Sequence, residues 1–333
     1  MKIKLFQMGL SLIEIMIASL IGVFLLGGVL QIFISTKQTY RMQEGLSRLQ
    51  ENGRYAIELL SNNIRMAGFL GCNSGAPLTN TLNSPTDFLY DLGKSLEGFE
   101  STSASAWTPA KNAAITDPLG GSDIITIRRA NDQSFFVIEN TAGNTDLKLD
   151  ATATETNLQA AGYLNNESTP ANHCAIAVVS DCTSAAVFQV SAITGYILSH
   201  TTGGACSPGN LSGDLGRPYM GGQVYPINTI SYYVRNNPGN QPSLYRRVGL
   251  NDAEELVEGI ENMQILYGED TDPTPDYTAN YYVSADNVTD MSKVVSVRIT
   301  LTARSMNGNL TSIGDGRLRR DFTTTIAIRN RLP

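Results

Sequence analysis

The chain begins with a short basic stretch and then turns almost wholly apolar. From Leu10 to Ile34, Glu14 is the only ionisable side chain and Gln31 the only other strongly polar one. As a helix, residues 10–34 extend about 37 Å at ~1.5 Å per residue, enough to cross a bilayer with some tilt. Lys2 and Lys4 precede the run, so charge asymmetry keeps the N-terminus in the cytoplasm and exports the rest. A cleaved secretory signal fits poorly, because its apolar core spans about 7–15 residues and ends in a small-residue site that is missing here. Beyond Ile34 the pattern becomes amphipathic. Met42, Leu46, Leu49, Gly53, Ala56, Leu60, Ile64 and Ala67 recur at steps of three and four, one stripe on a helix. Arg41, Glu44, Arg48, Glu51, Arg54 and Glu58 fall on other faces. The pattern predicts a single helix made of a membrane half, 10–34, and an amphipathic continuation, 35–71, that lies on a sheet. Gly68 and Gly71 are its stop signals. Gly22, Gly27, Gly28, Gly45 and Gly53 weaken the helix and serve either bending or close helix contact.

The remaining pattern is that of strands. "SDIITIRRA" (122–130), "SFFVIEN" (134–140), "CAIAVVS" (174–180), "AAVFQVSAI" (185–193), "TISYYVR" (229–235), "SLYRRVG" (243–249), "ENMQILYGED" (261–270), "VVSVRITLTAR" (294–304) and "FTTTIAIRN" (322–330) are rich in β-branched and aromatic residues, with turn residues between them. Residues 72–122 read as an irregular connection with a short helix near "DFLYDLGKSLEGF". A long N-terminal helix followed by antiparallel strands is an α+β arrangement. No repeat or linker forces a division of residues 72–333, which form one β-rich domain.

Composition narrows the function. The net charge is −7 and no basic block occurs, so the electrostatic footprint of direct nucleic-acid binding is missing. Cys72, Cys174, Cys182 and Cys206 all follow the apolar run, as suits an oxidising compartment. Cys174 and Cys182 bracket a strand and would lie about 26 Å apart, beyond the ~7 Å that a disulfide tolerates. The favoured pairing is Cys72–Cys182 with Cys174–Cys206, because "SDC" closes the strand and reaches back toward the end of the helix.

Candidate chemistry is sparse. His173, Cys174, Cys182, His200 and Cys206 lack the C-x-x-C spacing of zinc sites. "GEDTDPTPDY" (268–277) gathers hard oxygen ligands, and Asp270, Asp272 and Asp276 form a weak calcium candidate. Pro273 and Pro275 intrude and no closing glutamate follows, so a solvated acidic turn is the favoured reading. "GNLSGDLG" (209–216) does not open a helix after a strand. No nucleophile signature is present, and no catalytic residue or cofactor is nominated.

The N-terminus carries more information. In "MG/LSLIE", a short basic leader ends in Gly9, an apolar residue follows, and a glutamate stands fifth after the glycine. This resembles the type IV prepilin signature, although Leu10 stands where Phe or Met is usual. "ENGRYAIELLSNNIRMAGFLGC", "SDC" followed by "VFQV", "LVEGIENMQILYGED" and "FTTTIAIRNR" together resemble PilW-like minor pilins of type IV pili. The resemblance is patchiest over 73–121 and 141–170. It implies a leader peptide, 1–9, cut after Gly9 by a prepilin peptidase that also N-methylates Leu10. It also implies a pilin fold and a non-enzymatic place in the complex that primes assembly at the pilus tip, supporting adhesion, twitching motility or DNA uptake. The implied partners are other minor pilins and the major pilin through the helix, the inner-membrane assembly platform and a large tip adhesin. The implied location is the inner membrane of a Gram-negative bacterium with the domain in the periplasm, then the pilus tip. Glu14 would pair with the new α-ammonium of Leu10 on a neighbouring subunit and set axial register. A minor pseudopilin of a type II secretion system and a tip-displayed adhesive module are the alternatives.

Overall fold

A computed structural model describes residues 11–71, 76–141, 143–163, 175–204 and 206–332. Helix α1 (Leu12–Arg65) is continuous. It ends where Gly68 takes a left-handed φ of +77° and donates its N–H to Arg128 O at 2.8 Å. Its stripe divides in two. Leu49, Ala56, Leu60, Ile64 and Ala67 are buried, whereas Met42 and Leu46 are 39% and 40% exposed. The buried stripe therefore starts at Leu49, and the helix leaves the domain near residue 45 and projects outward before it.

Strands follow in the order β1 (Leu78–Asn80), β2 (Leu96–Ser101), β3 (Trp107–Thr108), β4 (Ile124–Ala130), β5 (Phe135–Glu139) and β6 (Asp146–Leu149). After the short helix α2 (Glu155–Ala161) come β7 (Ile176–Ser180), β8 (Ala185–Gln189), β9 (Ala192–Thr194), β10 (Ile197–Ser199) and the long β11 (Gln223–Asn236). The chain closes with β12 (Pro242–Val248), β13 (Glu254–Glu258), β14 (Ile260–Glu269), β15 (Tyr281–Val283), β16 (Val294–Arg304) and β17 (Arg319–Ala327). Among the described residues these make a branched 13-stranded sheet and a four-stranded antiparallel sheet, β15-β14-β16-β17. The β1–β8 pair is parallel, so the architecture is α+β with a mostly antiparallel, mixed sheet.

Strand β11 joins the parts of the large sheet. Its first residues pair with β7 and β5, and its later ones with β4 and β12. Helix α1 packs on the four-stranded sheet. On β16 the odd residues Val295, Val297, Ile299, Leu301 and Ala303 are buried, while Arg298, Thr300, Thr302 and Arg304 on the other face are partly exposed, the period-2 signature of a sheet covered on one side. Gly45 lies 2.8 Å, measured from an added Cβ, from Leu310 and 3.9 Å from Leu318. A Cβ on Gly53 would overlap the Phe322 ring. Asn330 Nδ2 donates to the carbonyls of Met66 and Ala67 at 3.4 and 3.2 Å. These three contacts run up both elements together, so α1 and β17 lie alongside each other in the same direction. Gly45 and Gly53 thus serve close contact with this chain's own domain.

Several sequence expectations are corrected. The helix expected near residues 87–99 is replaced by turns and by β2. Long-range groups override local propensity there: the buried Arg128 guanidinium takes the carbonyls of Phe88 and Lys94 and the carboxylate of Glu97. Gly98 is also required, since a Cβ would run into the Tyr267 hydroxyl. The strand expected over 185–193 is divided into β8 and β9. Strand β11 starts six residues earlier than "TISYYVR", and Pro226 sits inside it opposite Ala177. The tail of "FTTTIAIRN" leaves the sheet after Ala327 for a 3-10 turn, Arg329–Arg331.

The helix–sheet contact generates a stability test. Gly53→Ala adds a methyl inside a filled contact, costing about 1–3 kcal/mol against a helix-propensity gain of about 1 kcal/mol. Urea unfolding of the full chain in detergent should show a lower midpoint, and an unchanged or higher one would mean that Phe322 simply moves aside.

Candidate functional site

The exposed half of α1 starts at an N-cap built from its own sequence. Ser11 has extended backbone angles (φ −73°, ψ 150°), and its Oγ accepts the Glu14 N–H at 3.3 Å. Glu14 Oε2 accepts the Ser11 N–H at 2.9 Å and the Ser11 hydroxyl at 3.0 Å. This is a capping box, so within the single chain the Glu14 carboxylate serves the helix start. Sequence reading missed Ser11 as its partner, although "SLIE" spells the S-x-x-E signal. Gly9 and Leu10 lie outside the described residues.

From Leu12 to Ile34 the large apolar side chains are exposed in every direction, among them Leu12, Leu20, Phe24, Val29 and Phe33. By length and composition this helix is sufficient to cross a membrane. A helix that is apolar all round needs lipid or other helices about it. Farther on, Glu44 and Arg48 form an exposed i,i+4 pair at 2.9 Å, worth about 0.3–0.5 kcal/mol.

The structure brings the three acidic-turn residues together. The carboxylates of Asp270, Asp272 and Asp276 each offer an oxygen within 4.8 Å of the others. Those groups also hold the turn itself. Asp270, which is buried, accepts the N–H groups of Asp272 (3.1 Å) and Tyr277 (2.8 Å), and Asp276 accepts that of Thr278 at 2.8 Å. The neighbouring Glu269 accepts from Thr289 N (3.2 Å), Asp290 N (2.9 Å) and Tyr281 OH (3.1 Å). The three aspartates could hold a hard cation, yet Asp270 and Asp276 already accept backbone N–H groups of the turn, and Asp272 accepts from Asn280 Nδ2 at 3.3 Å.

Among the described residues no cysteine is a free thiol. Cys72 and Cys174 lie outside the described residues, but their neighbours do not. An added Cβ on Gly71 would stand 3.2 Å from Ser180 Cβ, which brings the residue before Cys72 to the strand that ends just before Cys182. Ala175 O accepts Val190 N–H at 2.9 Å, and Gln189 Nε2 donates to Ser207 O at 3.3 Å. The chain around Ala175 and that around Ser207 therefore share one strand neighbour.

His173 also lies outside the described residues. His200 is fully buried against Phe188, ring centroids 5.0 Å apart, and neither ring nitrogen has a hydrogen-bond partner among the described residues. Burial pulls its pKa down to about 4, despite the opposing pull of Asp146. Glu100 shows the reverse case: burial, with Asp123 and Asp286 adding repulsion, pushes its carboxyl up to about 7. His200 is neutral in the folded chain and charged in the unfolded chain below the usual 6.5. Its contribution to stability is complete above that pH and is lost between 6.5 and about 4. The expected loss by pH 4.5 is about 2 kcal/mol, and it should disappear in His200→Phe. Urea titrations at pH 7 and 4.5 on both proteins check this, and equal acid sensitivity would discard it.

Residues 231–330 match the family described as PilW, Type IV Pilus-assembly protein W. The match begins inside β11 and ends past β17, so it takes in the whole four-stranded sheet on which α1 rests. No curated protein and no solved structure matches the chain.

Proposed function

Taking residues 231–330 as those of a PilW-like type IV pilus protein, we propose that the chain is a minor pilin with a pilin fold. It is a non-enzymatic subunit of the complex that primes pilus assembly. The observation that carries this reading is the form of α1. A continuous helix leaves the domain near residue 45, is apolar on all sides through 12–34, and bears one carboxylate a turn from its start. In this reading residues 1–9 are removed, α1 holds the subunit in the inner membrane with its domain in the periplasm, and α1 later packs among the helices of other pilins. Glu14 then exchanges its Ser11 contacts for the α-ammonium of Leu10 on a neighbour, where mispairing would strand a buried charge.

Glu14→Ala tests the proposal. The described hydrogen bonds of the Glu14 side chain go to Ser11, so the variant should insert and fold normally. Its recovery with other pilus subunits and in sheared filaments should fall at least about tenfold, given that breaking a buried pair costs about 3–5 kcal/mol. Wild-type recovery would sink the reading.

We also assign the cysteines to Cys72–Cys182 and Cys174–Cys206, the pairing that the neighbouring contacts of Gly71 with Ser180 and of Ala175 and Ser207 with the β8 end support. Peptide mapping without reduction should recover these two linkages, and reduction should cost about 2–4 kcal/mol of stability per bond. A linked peptide joining Cys72 to Cys206 would refute the assignment.

A further inference from the structure

Strand β17 ends the four-stranded sheet, and among the described residues it pairs with β16 alone. Two bonds just outside the strand fix the phase of this ladder. Ser305 N–H donates to Leu318 O at 2.8 Å, and Ile328 N–H donates to Val295 O at 2.9 Å. Both lie in the register that sets Arg304 opposite Arg319 and Ser296 opposite Ala327. Antiparallel ladders alternate between bonded and non-bonded pairs, so Arg320, Phe322, Thr324 and Ile326 spend their backbone groups on β16. The N–H and C=O groups of Arg319, Asp321, Thr323, Thr325 and Ala327 therefore point away from the sheet. All five residues are exposed.

Proteins usually blunt such an edge with proline, lysine, a bulge or a short strand. β17 has nine residues, without proline or lysine, and its register with β16 runs unbroken. The β5–β6, β12–β13 and β14–β16 pairs of the same domain all contain register shifts. Of the charged groups at the start of β17, Arg319 pairs with Glu261 and Asp315, Arg320 lies over the Phe322 ring 5.7 Å from its centroid, and Asp321 accepts from the Thr302 hydroxyl. What is left open, Thr323 to Ala327, is uncharged and mostly β-branched.

We propose that β17 is an open edge for strand addition and takes an extended, uncharged segment of a different polypeptide in the pilus assembly. A second copy of this chain fits poorly. Helix α1 and β17 run in the same direction, so copies inserted in one membrane present parallel β17 strands and cannot form a two-fold antiparallel pair. Among the described residues the other free edges, β1, β3, β9, β13 and β15, have five residues or fewer, too few to span the nine of β17. This step rests on the filament reading, because that reading orients α1.

Hydrogen exchange on the full-length chain in detergent, alone and co-isolated with co-expressed pilus subunits, reads the edge directly. Alone, the amides of Asp321, Thr323 and Thr325 should exchange at least about 100-fold faster than those of Phe322, Thr324 and Ile326; in the assembly they should become equally slow. Protection in the isolated monomer, no protection in the assembly, or protection arising from self-association alone would each overturn the proposal. Thr323→Pro removes an outward N–H, which an edge strand tolerates, so it should keep the wild-type melting temperature while co-isolation falls at least about tenfold. Thr324→Pro, whose N–H faces β16, should lose stability instead. A folded Thr323→Pro that co-isolates normally while Glu14→Ala does not would sink the edge alone; the opposite pattern would sink the role of Glu14 and leave the edge standing.

Discussion

The structure depends on how closely α1 can approach the sheet at Gly53. Without a Cβ there, the Phe322 ring lies directly against the helix backbone, and Leu60, Ile64 and Ala67 reach the inner face of β14, β16 and β17. Burial of Leu49, Leu60 and Ile64 contributes about 1.5–3 kcal/mol each before entropy is counted. That contact turns a membrane helix into a lever fixed to a folded domain. Gly45 extends it by one more segment, to the loop carrying Leu310. Before Gly45 the described helix is exposed apart from Gly22.

A second constraint ties the large sheet to this layer. Strand β11 has a strand partner along its whole length, β7 and β5 early and β4 and β12 later. Arg128 on β4 gathers the 88–97 segment. Arg331 at the other end of the chain donates to Met291 O, to Val294 O and to Ser95 Oγ. The two arginines hold neighbouring points of the same loop, so the C-terminus and the first strands are locked to one another. Residues 231–330, where the family match lies, include the strands on which α1 is seated, while the segment after α1 also bonds to β4 through Gly68 and Phe69.

The helix and the strands of the C-terminal third were readable because their periodicity is strong and local. The stripe from Leu49 to Ala67 and the alternation from Val295 to Ala303 each need one side buried, and the sequence states which. Strand β2 was not readable, because what makes it a strand is remote: the Arg128 guanidinium and the crowding of Gly98 by Tyr267. Strand β11 was half hidden because burial on both faces erases alternation. For the site, Glu14 stood out as a charge in an apolar run, whereas Ser11 was overlooked although its spacing to Glu14 follows a known rule. The buried His200 left no local signal, since burial of one imidazole is set by distant strands.

The capping box gives Glu14 two roles that compete. In the single chain its carboxylate satisfies the Ser11 N–H and hydroxyl, which removes an orphan donor at the helix start and places negative charge at the positive end of the helix dipole. In the proposed filament, transfer of that carboxylate to a neighbour's ammonium gives up the cap, so the net gain from docking is smaller than the pair alone would suggest. The penalty for mispairing is not reduced, because a lone carboxylate among packed apolar helices is still uncompensated. Giving up the cap therefore moderates affinity while register stays strict, which in the proposed reading suits a subunit that enters a filament at one position.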